Sequence, residues 1–133
     1  MIFIIFSINF AYGFDPIPPM KGWNLEVYNN WTEMETWIKE VVGGSDLDVR
    51  VETIGVTDEL RNIYVIEIAA SKPEYKNLNS GAIVIQCGLI AREWSSSQFC
   101  QFLVHSILWG SYQHLREYTN IVILPMMNPP GLN

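Results

Sequence analysis

The sequence predicts an α/β fold of about four strands and two main helices, because segments with strand patterning alternate with segments of helical periodicity. Val49–Ile54, Asn62–Ala69, Ala82–Gln86 and Asn120–Leu124 read as strands. Thr32 to Gly43-Gly44 and the interior of Ser95–Tyr118 read as helices. At 133 residues the chain has room for one domain with a sizeable core. A hydrophobic content of 49%, with five Trp, six Tyr and six Phe, excludes a disordered chain. The formal charge of −6 without a basic cluster excludes nucleic acid as a partner, since phosphate recognition needs concentrated Lys and Arg.

Residues 1–13, Met1 to Gly13, are almost wholly apolar and too short to cross about 30 Å of hydrocarbon as a helix. They read as a signal peptide with Ala11-Tyr12-Gly13 as a small-x-small cleavage site, against the alternatives of a buried strand or a misplaced start. No later stretch qualifies as transmembrane, so no membrane partner is expected. Residues 14–22 contain Pro16, Pro18 and Pro19 and form a linker without a helix.

Residues 23–133 form the domain. Thr32-x-x-Glu35 predicts a capping box, and Met34, Trp37, Ile38 and Val41 make one apolar stripe that Gly43-Gly44 ends. Val49–Ile54 alternates as a half-buried strand does, and Asn62–Ala69 is richer in β-branched residues, as a central strand is. Pro73 and its polar neighbours place a loop at 72–80. The short apolar run Ala82–Gln86 predicts a buried strand. In the second helix Phe99, Leu103, Ile107 and Leu108 supply the buried face, with a serine as cap. A strand–helix–strand order implies at least one crossover connection.

Few side chains outside this pattern carry chemistry. Cys87 and Cys100 are the only cysteines and are compatible with one disulfide or with two reduced thiols. Asn30-Trp31-Thr32 is a glycosylation sequon. On one helix Glu93 and His105 lie about 18 Å apart, and His105 and His114 differ by about 900° of rotation. Neither histidine forms a compact metal site with Glu93, and both are expected at the surface or partly packed.

The run Cys87-Gly-Leu-Ile-Ala-Arg-Glu-Trp94 resembles the zinc-site wording G-[IF]-H-A-R-E-W of the secreted zinc metallocarboxypeptidases, the carboxypeptidase A/B family. Gly88, Ala91, Arg92, Glu93 and Trp94 fall in step, and Ile90 stands where the family has its first zinc-binding histidine. Tyr28, Met34 and Trp37-Ile38 are similar to the family's opening helix. Thr53-Ile54-Gly55, Glu59, Arg61 and Ile63 resemble its I-G-x-S-x-E-G-R-x-I, with Thr57 for Ser and Leu60 for the turn glycine. Leu124-Pro125 and Asn128-Pro129-x-Gly131 resemble its L-P-x-x-N-P-D-G, with Pro130 for Asp.

The resemblance implies the N-terminal portion of a mixed-sheet carboxypeptidase fold, with Cys87 and Cys100 joined as in carboxypeptidase B-like sequences. It implies a family chemistry in which zinc cuts the last residue from peptide or protein C-termini. By position Glu93 is a zinc ligand and Arg92 a contact to the peptide backbone. Ile90 offers no lone pair, and the family's second histidine, base and carboxylate-gripping residues fall past Asn133. The expectation is therefore a truncated, exported chain that assigns no catalytic residue and holds no zinc. Arg92 and Glu93 are then expected to remain as an ion pair. The alternative is a secreted binding protein on the same scaffold.

Overall fold

The computed structural model describes residues 28–45, 47–77, 81–90 and 92–129. The expected signal peptide, the linker and Pro130 lie outside these residues. Helix α1, Trp31–Thr36, runs directly into a π-helical turn, Trp37–Val42. Strands β1 (Val49–Val56) and β2 (Asn62–Ile68) follow, then a 3₁₀ turn at Pro73–Tyr75. Strand β3 (Ala82–Gln86), helix α2 (Trp94–Leu108), a 3₁₀ turn at Gln113–Arg116 and β4 (Asn120–Leu124) complete the order.

Two starting signals differ from expectation. Asn30, not Thr32, caps α1: its Oδ1 accepts from Glu33 N at 3.0 Å, and Glu33 Oε2 accepts from Asn30 N at 2.9 Å. The expected partner Glu35 is engaged elsewhere, accepting from Lys39 and Tyr64. Helix α2 starts after Glu93 without a side-chain cap. Its serine works differently: Ser96 Oγ accepts from Gly88 N at 2.9 Å and donates to Glu93 O at 2.8 Å, tying the helix to the loop before it.

The four strands form one mixed sheet in the order β1-β2-β4-β3. β1 pairs antiparallel with β2, and β2 antiparallel with β4. β3 pairs parallel with β4, Ala82 opposite Asn120 and Gln86 opposite Leu124, so β3-α2-β4 is the crossover unit. β2 and β4 are central, and their Ile66, Ile68, Ile121 and Ile123 are buried. Met34, Trp37, Ile38 and Val42 from the first helix join them in one core with Cys100, Val104, Ile107 and Leu108 from α2. Phe99 and Leu103, expected to be buried, only pack against its margin.

β3 is the clearest correction to the expected sheet. Its composition predicts a buried strand, yet Ile83 is 44% and Val84 66% exposed. Among the described residues the strand lies at the sheet's edge, where β4 pairs one side and only Ile85 packs against the core. Periodicity reports how apolar a strand is, not how many layers cover it.

The β1–β2 turn carries the one non-glycine residue at positive φ among the described residues, Leu60 at 61°. Thr57 holds this turn together, its N donating to Arg61 O at 2.9 Å and its Oγ1 accepting from Arg61 N at 3.1 Å. A hydroxyl at this position suffices, so Thr in place of Ser keeps the turn. Asn120 is a buried knot that periodicity does not reveal. Its Oδ1 accepts from Ala70 N at 3.0 Å, and its Nδ2 donates to Tyr75 O at 2.9 Å.

Candidate functional site

The loop after β3 gathers most of the residues singled out by the sequence. It begins as an extension of the sheet: Cys87 N donates to Leu124 O at 2.9 Å, Met127 N to Cys87 O at 3.0 Å and Asn128 N to Gly88 O at 2.8 Å. Gly88 then turns the chain with φ +62°. A Cβ there would stand 2.4 Å from Ser97 Oγ and 3.1 Å from Met126 Cα, so both dihedral and space require glycine. The loop thus leaves the carboxyl end of β3 beside the carboxyl end of its parallel neighbour β4. In parallel α/β units that is where ligand sites form.

Cys87 and Cys100 are joined in a disulfide with Cα atoms 6.3 Å apart, both buried. It ties the start of the loop to the middle of α2. Closing a loop of about 14 residues stabilises the fold by about 3 kcal/mol in the chain-entropy account.

Ile90 and Glu93 share one turn, Glu93 N donating to Ile90 O at 3.0 Å. The side chain of Ile90 is 54% exposed, and Leu89, Arg92, Glu93 and Trp94 are exposed with it. Tyr28 packs edge-on against Trp94, with ring centroids 5.9 Å apart, at the end of this loop. No ion pair joins Arg92 to Glu93. That corrects the expected pair: each side chain turns into water, which leaves neither charge in need of the other.

Of the two histidines, only His105 departs from the expected surface or partly packed placement. His114 is exposed, its Nδ1 3.2 Å from Ser111 O. His105 is buried, with 7% exposure, and its ring packs 5.4 Å from that of Trp109. Burial pushes its pKa below the ordinary value of 6.5. Among the described residues no three His, Cys, Asp or Glu side chains come together as a metal site.

A second polar cluster lies where α1 meets β2. Glu35 Oε1 accepts from Lys39 Nζ at 2.8 Å, Tyr64 OH at 2.5 Å and Asn62 Nδ2 at 3.3 Å. Burial raises the pKa of Glu35, but these hydrogen bonds outweigh it and hold the carboxyl below its ordinary value. The cleft beside it, lined by Trp31, Met34 and Met126 among others, has room for about one water. The cluster joins helix to sheet and offers no space for a ligand.

Comparison with known proteins adds the family context. The family model for zinc carboxypeptidases matches residues 34–133. Carboxypeptidase B of Rattus norvegicus is 33% identical over 123 residues, covering 89% of this chain and 28% of that relative. Carboxypeptidase B of Bos taurus is 31% identical with the same coverage. The solved structure of bovine thrombin-activatable fibrinolysis inhibitor, in complex with tick carboxypeptidase inhibitor, superposes with a TM-score of 0.67. It is 27% identical, and the match covers 80% of this chain and 33% of that one. The chain thus spans less than a third of the length of the carboxypeptidase B relatives it matches.

Proposed function

We infer a function from two premises: the chain belongs to the zinc carboxypeptidase family, and Ile90 stands at the first zinc-ligand position of that family's motif. On this reading the chain keeps the N-terminal part of the fold of an enzyme that removes C-terminal residues from peptides, without its metal chemistry. A catalytic zinc takes three protein ligands and keeps one position open. Here Glu93 offers one carboxylate, while Ile90, on the same turn, offers only hydrocarbon. The side chains of the loop do not fit the metal, and no catalytic step is assigned through it. Arg92, exposed beside them, keeps the position from which the family contacts the peptide backbone.

One observation favours a binding role over an inert one. Leu89 and Ile90 on the loop, Trp94 at the start of α2, and Tyr28 against Trp94 are all large apolar side chains left exposed. Such a surface, with Arg92 at its rim, suits an extended peptide or a protein C-terminus. Export to an oxidising compartment is part of the same reading. The apolar residues 1–13 and the Cys87–Cys100 disulfide support it.

The test is release of the terminal residue from peptides ending in Arg, Lys or an aliphatic residue, with and without added zinc. The proposal predicts no release above the blank, together with a change in tryptophan fluorescence on peptide binding that Arg92→Ala weakens. Release abolished by a chelator would overturn it.

A further inference from the structure

We propose that Asn30 is the acceptor of a single N-linked glycan, attached through Nδ2 while Oδ1 goes on capping α1. Asn30-Trp31-Thr32 is the one Asn-x-Ser/Thr triplet in the sequence. The neighbouring asparagine is held inward: Asn29 is buried, its Nδ2 donating to Gln101 Oε1 at 3.0 Å. Asn30 follows in an extended conformation, φ −73° and ψ 176°, so the next side chain turns outward and is exposed. Thr32, the residue that completes the triplet, is exposed as well. Trp31 between them is half-buried, with the Arg61 guanidinium 5.7 Å from its ring.

The two atoms of the Asn30 amide have separate tasks. Oδ1 accepts from Glu33 N, and Nδ2 makes no hydrogen bond among the described residues. In the transfer, Nδ2 attacks the anomeric carbon of an oligosaccharide carried on a lipid pyrophosphate. A carbon–nitrogen bond forms as the carbon–oxygen bond to pyrophosphate breaks. The lipid pyrophosphate leaves with that electron pair, and Nδ2 gives one proton to the transferase's base. The amide keeps its carbonyl oxygen and one N–H, so the cap acceptor survives. The sugar then projects from the start of α1, close in sequence to Tyr28 and the loop that Tyr28 contacts through Trp94.

This inference rests on the export reading, and the experiment separates the two. The full chain is translated in a cell-free system with microsomal membranes, once as it stands and once behind a heterologous cleavable signal. Behind the heterologous signal, the expected product is one slower, protease-protected band that peptide N-glycosidase collapses. Thr32→Ala is expected to give a protected band without the shift, since the cap groups belong to Asn30 and Glu33. A protected but unshifted wild-type band, or a shift that persists in Thr32→Ala, would overturn the glycan. Protection lost only in the chain as it stands would overturn export and leave the acceptor site in place.

Discussion

Leu60 and Gly88 both hold positive φ, 61° and 62°, and the difference between them makes two opposite predictions. Leu60 is 83% exposed, so little packing offsets the left-handed conformation, which costs an L-residue about 1–2 kcal/mol. Leu60→Gly should raise stability by about 1 kcal/mol after glycine's larger unfolded-state entropy, seen as a higher urea midpoint. Gly88→Ala should lower it by roughly 2–4 kcal/mol, because the new Cβ meets Ser97 Oγ and Met126. Both positions were legible through the family wording, which has glycine at each. The burial of His105 was not, because helical periodicity sees only α2 and not what packs over it. His105 also sets a pH window. Its folded pKa lies below 6.5, so the unfolded chain takes up the proton first. The stability it supports is present above pH 6.5 and is lost as pH falls through the folded value. Glu35 acts lower, its contribution present above 4.5 and lost as pH falls through its depressed pKa. Urea midpoints between pH 7.5 and 5.5 should therefore drop for wild type, and His105→Gln should flatten that drop.

At the scale of elements, the loop after β3 depends on three links to α2 and β4: the Gly88–Ser96 hydrogen bond, the strand-like bonds to Leu124, Met127 and Asn128, and the disulfide. Cys100→Ser should lower stability by about 3 kcal/mol, read from the denaturant midpoint, and reduction of the wild type should do the same. No loss in either would mean that the hydrogen bonds alone fix the loop. All four strands and both helices were legible from patterning, β1 and the helices through their period, β2 through its β-branched residues, and β3 and β4 as short apolar runs. Helix starts were less so. Asn30 outcompetes Thr32 for the cap because its oxygen reaches the Glu33 N–H, while Glu35 is drawn to Tyr64 and Lys39. The exposure of β3 was not legible at all. An apolar run is compatible with one covered face or two, and edge position is set by pairing that the strand's own sequence does not contain.

At the scale of the whole chain, part of a family fold carries a loop that, on the proposed reading, departs from the family at its first zinc-ligand position. The match reaches 89% of this chain and 28% of carboxypeptidase B from Rattus norvegicus, so kinship is secure while activity turns on individual residues. Glu93 and Ile90 lie on one exposed turn, and only one of them can donate electrons to a metal. Ile90→His would place a second donor on that turn, still one short of the three that a catalytic zinc takes, so zinc affinity should rise without reaching one zinc held per chain. The measurement that tests this account most directly is the zinc content of the purified chain after dialysis against excess zinc and then against metal-free buffer. The account predicts far less than one zinc per wild-type chain, with more retained by Ile90→His. One zinc per wild-type chain, unchanged by Glu93→Gln or lost with it, would contradict the claim that Ile90 has removed this loop from metal chemistry.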